Sequence, residues 1–148
     1  MTAPNSPPRV LISDALSETA VAIFRDRGLD VTFEPELGKD KERLAAIIGE
    51  YDGLAIRSAT KVSEKILKAA AKLKVIGRAG IGVDNVDTKA ATAQGVIVMN
   101  TPFGNSITTA EHAITLMMSL ARQIPEANAS TKSGKWEKNR FLGVELYG

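Results

Sequence analysis

Cysteine is absent from the 148 residues. That excludes disulfides, thiol nucleophiles and zinc–thiolate centres. Histidine occurs once, at His112, so no histidine cluster is available and no metal site is expected. An excess of one charge is also missing: 19 Lys+Arg against 17 Asp+Glu leave a net charge of +2. The basic residues are scattered, which argues against nucleic acid as a partner. No apolar run approaches the roughly 20 residues of a membrane helix. The opening Met1-Thr2-Ala3-Pro4-Asn5-Ser6-Pro7-Pro8 has no hydrophobic segment and does not read as a secretory signal. Two phosphate-binding signatures are lacking as well. There is no Gly-Lys-Ser/Thr of a P-loop, and the G-x-G-x-x-G pattern fails: counted from Gly80 its third glycine falls on Asn85, and counted from Gly77 its second falls on Ala79. The expectation from these absences is a cytoplasmic protein that uses neither nucleic acid nor membrane.

What is present is an ordinary globular composition, 44% apolar and 24% charged, in a length suited to one domain. Short apolar runs alternate with helical stretches. Val10-Leu11-Ile12, Leu29 to Phe33, Gly53 to Ile56, Lys74 to Gly77 and Val96 to Met99 read as strands. Between them lie helical patterns beginning at Ser17, Lys39, Ser63 and Asp87, with Gly28 and Gly95 where helix C-caps belong. Near-continuous apolar strands are buried on both faces, so the expected fold is α/β, a flavodoxin-like doubly wound parallel sheet. After Phe103 the pattern changes. Thr108 and Glu111 read as a capping box opening a long, broadly apolar helix. Pro125 breaks or restarts it, and a polar arm carrying Trp136 and Phe141 follows from Ser130.

Ligands of such sheets bind beyond the carboxyl ends of the strands, and three of those ends are polar or glycine-rich. Arg57-Ser58-Ala59-Thr60 could hold a carboxylate or phosphate, or could be a surface Arg beside a helix cap. The turn from Gly77 to Asp87 could offer backbone N–H groups and Arg78 to a small anion, or could serve strand-to-helix packing alone. Asn100 to Ser106 could fix a polar ligand, or be loop chemistry. His112 reads as a packed or interface residue in preference to an acid or base. Glu111, its neighbour, points about 100° away around the helix and forms no dyad with it.

At Ile12-Ser13-Asp14, Arg57 to Val62, Val75 to Asp87, Val98 to Pro102, Gly104-Asn105-Ser106, Ala110-Glu111, Leu120 to Pro125 and Gly134 to Glu137, the chain resembles the D-isomer-specific 2-hydroxyacid dehydrogenases. The stretches are jointly specific and cover nearly everything after residue 8. The resemblance implies an NAD-dependent oxidoreductase, in the branch that oxidises 3-phosphoglycerate to 3-phosphohydroxypyruvate in L-serine biosynthesis. It implies a disordered tail over 1–8, a substrate-binding domain over 9–101, and over 102–148 the start of a nucleotide-binding domain with its long helix and dimerisation arm. Arg57, Ser58, Arg78, Gly80, Ile81, Gly82, Asn100, Asn105 and Lys138 are thereby expected to bind the substrate, with Lys138 reaching a neighbouring subunit's phosphate. Ile81 and Thr109 are expected near the nicotinamide. A homodimer or homotetramer through the long helix and the Trp136 arm is implied. The family's glycine fingerprint and its catalytic Arg, Glu and His would follow Gly148, and His112 does not match that His. This chain alone is therefore expected to be a fragment with no catalytic residues, binding NAD poorly and transferring no hydride. Two other readings stand beside this one: a hydroxypyruvate or glyoxylate reductase of the same family, and a non-enzymatic flavodoxin-like binding module.

Overall fold

The computed structural model describes residues 6–147, and residues 1–5 of the expected tail lie outside them. Two compact units divide at Gly104/Asn105.

The first unit alternates strand and helix throughout. Its elements are β1 (Arg9–Ile12), α1 (Glu18–Asp26), β2 (Asp30–Phe33), α2 (Lys41–Ile47), β3 (Gly53–Ile56), α3 (Glu64–Ala69), β4 (Val75–Arg78), α4 (Thr88–Ala93) and β5 (Ile97–Asn100). The helices begin where short polar side chains can satisfy free backbone donors. Ser17 Oγ accepts from Ala20 N–H, Asp40 from Arg43 N–H and Asp87 from Ala90 N–H. Gly28 and Gly95 leave α1 and α4 with φ of +76° and +72°, a conformation that costs a side-chain-bearing residue energy.

All five strands are parallel in the order β2-β1-β3-β4-β5, the flavodoxin-like order expected. Side chains alternate across the sheet. Leu11, Leu54, Ile56 and Ile76 pack on one face with Leu44, Ile48, Ile66 and Leu67 from the α2 and α3 region. Val10, Ile12 and Ala55 point to the other, against Val21 and Phe24 of α1. Each such fully buried aliphatic contributes about 1.5–3 kcal/mol. The expectation of strands buried on both faces holds for β1 and β3 and fails for β5. Val98 joins the first core face, while Met99, on the α1 side, remains 54% exposed.

Register aligns Ile12 with Ala55, Ile56 with Arg78, and Arg78 with Asn100. The carboxyl ends of β1, β3, β4 and β5 therefore form one edge. The order reverses at β1, between β2 and β3, which sets the loop after β1 beside the loop after β3 at the switch point.

The second unit holds α5 (Ser106–Ala121) and α6 (Ile124–Lys132). Two expectations are corrected here. Thr108 and Glu111 do not cap α5: the helix starts at Ser106, with Asn105 in the N-cap position. Thr109 N–H already bonds Asn105 C=O at 2.9 Å, so the ladder begins before Thr108 could cap it. Nor does an extended arm begin at Ser130. α6 runs on to Lys132, with Thr131 Oγ1 bonded to Ala127 C=O, and a short 3-10 turn follows at Lys138–Arg140. Pro125 restarts the chain as a helix, because its missing N–H is no loss in a first turn. Among the described residues no helix is long and apolar enough to cross a membrane.

Candidate functional site

The site is built at the carboxyl edge of the first unit from three loops. β1 runs on into Ser13 and Asp14, whose side chains are buried. β3 ends at Ile56, and the next four residues fold over that edge with Arg57, Ser58 and Ala59 exposed and Thr60 buried. β4 runs into the glycine turn, which closes where Val62 pairs with Val86.

Arg57 is an uncommitted cation here. Its guanidinium donates only to Ala15 C=O, at 3.3 Å, and among the described residues it has no carboxylate within salt-bridge distance. An exposed guanidinium with several free donors suits a planar anion. Ser58 stands beside it with its hydroxyl in solvent.

The glycine turn offers a second donor set. Gly80 N–H is turned back to Arg78 C=O, and Gly80 C=O accepts from Thr101 N–H. Ile81 and Gly82 N–H take no backbone acceptor among the described residues, and both residues are exposed. Two adjacent free amides on a glycine turn are neutral donors that a small anion can take.

Arg78 and Asn100 behave differently from Arg57. The Arg78 side chain is only 13% exposed, and its guanidinium donates to Gly82 C=O, with Asp84 at 4.0 Å. Its Nε is buried without a partner. Asn100 donates to Ile81 C=O at 2.6 Å. Both side chains hold the turn in shape, and both residues also line an apolar groove of about 250 Å³ that runs between α1 and β5, bounded by Leu16, Phe24, Met99 and Thr101.

The structure thus gathers Arg57, Ser58, Arg78, Gly80, Ile81, Gly82 and Asn100 at one edge. Asn105, Thr109 and Lys138 belong to the second unit, where all three are exposed. A larger cavity of about 550 Å³ lies in that unit, lined by residues such as Met117, Leu120, Leu142 and Val144. Its walls are mostly apolar and its cation, Arg140, is paired with Glu137, so anion chemistry favours the carboxyl edge. His112 is exposed on α5 and belongs to no cluster: among the described residues no three His, Cys, Asp or Glu side chains gather as metal ligands.

Four residues beneath the site share a role that sequence reasoning did not assign. Asp14, Thr60, Asn85 and Gly38 form its floor. Asp14 Oδ2 accepts Arg57 N–H at 2.6 Å and Thr60 N–H at 3.2 Å, while Oδ1 accepts the Thr60 hydroxyl at 2.7 Å. That hydroxyl has one proton, so the 2.8 Å contact with Ser13 Oγ is a donation from Ser13. Gly38 N–H bonds Ser13 C=O at 2.9 Å. The available signal was the juxtaposition of small polar residues just past strand ends. Their partners lie 43 and 46 positions away, beyond any local pattern.

In the first unit the charged pairs with displaced pKa lie away from this edge. Lys74 and the Arg9 N–H donate to Asp52 and hold its carboxyl below the ordinary value. Arg9 does the same for Glu50 through a direct hydrogen bond. Both pairs lie at the amino ends of the strands and structure that end of the sheet.

Residues 10–139 match the family described as D-isomer specific 2-hydroxyacid dehydrogenase, catalytic domain. The D-3-phosphoglycerate dehydrogenase of Homo sapiens is 52% identical over 140 residues, covering 95% of this chain and 26% of that protein. The chain spans about a quarter of the length of the curated relatives it matches. Among solved structures, a protein of Thermus thermophilus superposes with a TM-score of 0.81 at 31% identity, covering 95% of this chain and 46% of its own. An NAD+-bound 3-phosphoglycerate dehydrogenase of Entamoeba histolytica gives 0.68 at 34% identity, covering 79% and 40%.

Proposed function

The chain belongs to the D-isomer specific 2-hydroxyacid dehydrogenase family, and on that premise we propose that it is the substrate-binding part of an NAD-dependent enzyme that oxidises 3-phosphoglycerate to 3-phosphohydroxypyruvate. In this reading the parent protein serves L-serine biosynthesis in the cytoplasm as a homodimer or homotetramer. The observation that carries the proposal is that the exposed Arg57 guanidinium, with no carboxylate partner among the described residues, and the free amides of Ile81 and Gly82 belong to the same carboxyl edge of the sheet. A substrate with a phosphate at one end and a carboxylate at the other needs two separate donor sets, one cationic and one built from neutral amides. Arg57 and Ser58 take one charged end, and the glycine turn takes the carboxylate. Arg78 and Asn100 brace that turn and face the acid, while Asn105 and Lys138 are further substrate contacts in this reading, Lys138 from a neighbouring subunit.

NAD supplies the hydride acceptor. Ile81, 42% exposed on the turn, and Thr109, exposed on the first turns of α5, fit contacts to the nicotinamide side. Neither offers a grip on the pyrophosphate, and the chain has no G-x-G-x-x-G loop for it. The chain's own contribution is to bind and orient the acid, so it is inactive by itself. The test is an assay of the full-length protein for NAD reduction with 3-phosphoglycerate, run beside glycerate, and for NADH oxidation with hydroxypyruvate and glyoxylate. Higher kcat/KM for the phosphorylated acid supports the proposal. A preference for hydroxypyruvate or glyoxylate favours a reductase of the same family.

A further inference from the structure

We infer that Asp14 and Asn85 are positioning residues that clamp the Arg57–Thr60 loop from below, and that Asn85 couples this loop to the glycine turn. The inference rests on the reading of Arg57 as the ligand of a charged substrate end. The loop has four backbone groups at its two ends, and each is held by a buried or half-buried side chain. Arg57 N–H and Thr60 N–H both donate to Asp14 Oδ2, at 2.6 and 3.2 Å. Arg57 C=O and Thr60 C=O both accept from Asn85 Nδ2, each at 2.7 Å.

The residue types match the task. A carboxylate only accepts and an amide nitrogen carries two protons, so one Asp can hold two N–H groups and one Asn two C=O groups. An Asp at position 85 would have no N–H to give the two carbonyls. Ser58 and Ala59, between the clamped ends, stay in solvent. Asp14 is 2% exposed and Thr60 fully buried, so water competes little for these bonds.

Asn85 also sits in the second donor loop. Its C=O accepts Val62 N–H at 2.8 Å, and Asp87 N–H donates to Val62 C=O at 2.9 Å. The end of the glycine turn is therefore fastened to the segment just past Thr60. A substrate that draws the Ile81–Gly82 amides toward its carboxylate pulls on the same Asn85 that orients Arg57. The two donor sets are held as one unit, which raises the effective concentration of each for the other end of the ligand.

The experiment is steady-state kinetics and amide hydrogen exchange of the full-length protein carrying Asn85→Asp, Asp14→Ala or Asp14→Asn, with Arg57→Ala as reference. Asn85→Asp presents an acceptor to two carbonyls. It is expected to raise KM for 3-phosphoglycerate about tenfold, the worth of one buried hydrogen bond, with a smaller change in kcat. Exchange of the Arg57 and Thr60 amides quickens in step. Asp14→Ala behaves alike. Asp14→Asn lies close to the parent, because its amide oxygen can take both N–H groups while the Thr60 hydroxyl turns to accept from its nitrogen. If Asp14→Ala fails to fold, Asn85→Asp carries the test. A merely structural clamp would lower Tm and leave KM within about twofold of the parent. That result, with KM raised by Arg57→Ala, overturns the positioning role. If Arg57→Ala itself leaves KM unmoved, the premise about Arg57 fails and the positioning role falls with it. Quickened exchange would then mark the clamp as architectural.

Discussion

Gly38 packs so closely on Thr60 that a methyl group has no room. A Cβ at Gly38 would lie 3.0 Å from Thr60 Cα and overlap both Thr60 Oγ1 and Asp14 Oδ1. None of these atoms can retreat, because Thr60 and Asp14 are buried and hydrogen-bonded to each other. Gly38→Ala is expected to destabilise the first unit by about 1–3 kcal/mol, as overpacking does. Urea unfolding checks it, and an unchanged midpoint contradicts it. Gly28→Ala, at a positive φ with open space around the Cβ, is expected to cost about 1 kcal/mol through the backbone alone.

The two cations separate by substrate. Arg57→Ala and Lys138→Ala in the full-length protein are expected to raise KM for 3-phosphoglycerate about 10- to 100-fold, the loss of a charge-assisted hydrogen bond. Glycerate, lacking the phosphate, should be affected much less. Equal effects on both acids would favour the hydroxypyruvate or glyoxylate reading.

The second unit presents an apolar surface. Ile107, Ile114, Leu116, Met117, Met118 and Leu120 of α5 are all exposed, and Trp136 is 83% exposed. Patches of this kind mark association surfaces. The chain is expected to self-associate with rising concentration in sedimentation. Leu116→Glu or Trp136→Ala should weaken that by roughly tenfold or more. A monodisperse monomer at every concentration contradicts it.

The amino end of the sheet gives a pH signature. The Asp52 carboxyl titrates below its ordinary 3.8 in the folded protein, chiefly because Lys74 donates to it. A group with a lowered folded pKa stabilises at pH above its unfolded value and loses that contribution as pH falls through the folded value. Asp52→Asn is expected to be less stable at pH 7 by up to about 1 kcal/mol, since the pair is partly solvated. The difference should shrink below pH 3.8. Denaturant unfolding at the two pH values decides it, and a gap that widens in acid contradicts it.

The strand-and-helix order of the first unit could be read from the residues because its signals are local. Apolar runs of four residues, Ser17 and Asp87 at helix starts, and Gly28 and Gly95 at helix ends each act within a turn or two. The candidate edge followed from strand order, and the exposed position of Arg57 from its place just past β3. The floor could not be read. Asp14 meets Thr60 only once β1 and β3 are neighbours, and Asn85 reaches back 25 positions to Thr60. Arg78 illustrates the same limit: its contact with the Gly82 C=O, made as the turn folds back, had no local signal. Thr108 and Glu111 had the spacing of a capping box, but nothing in the two preceding residues stops a helix, and α5 starts earlier.

The most direct test is a crystal structure of the full-length protein with 3-phosphoglycerate bound. The expected result is one charged end within about 3 Å of the Arg57 guanidinium and the other on the Ile81 and Gly82 amides. An acid bound elsewhere, with Arg57 still on Ala15 C=O and both amides free, would contradict the account.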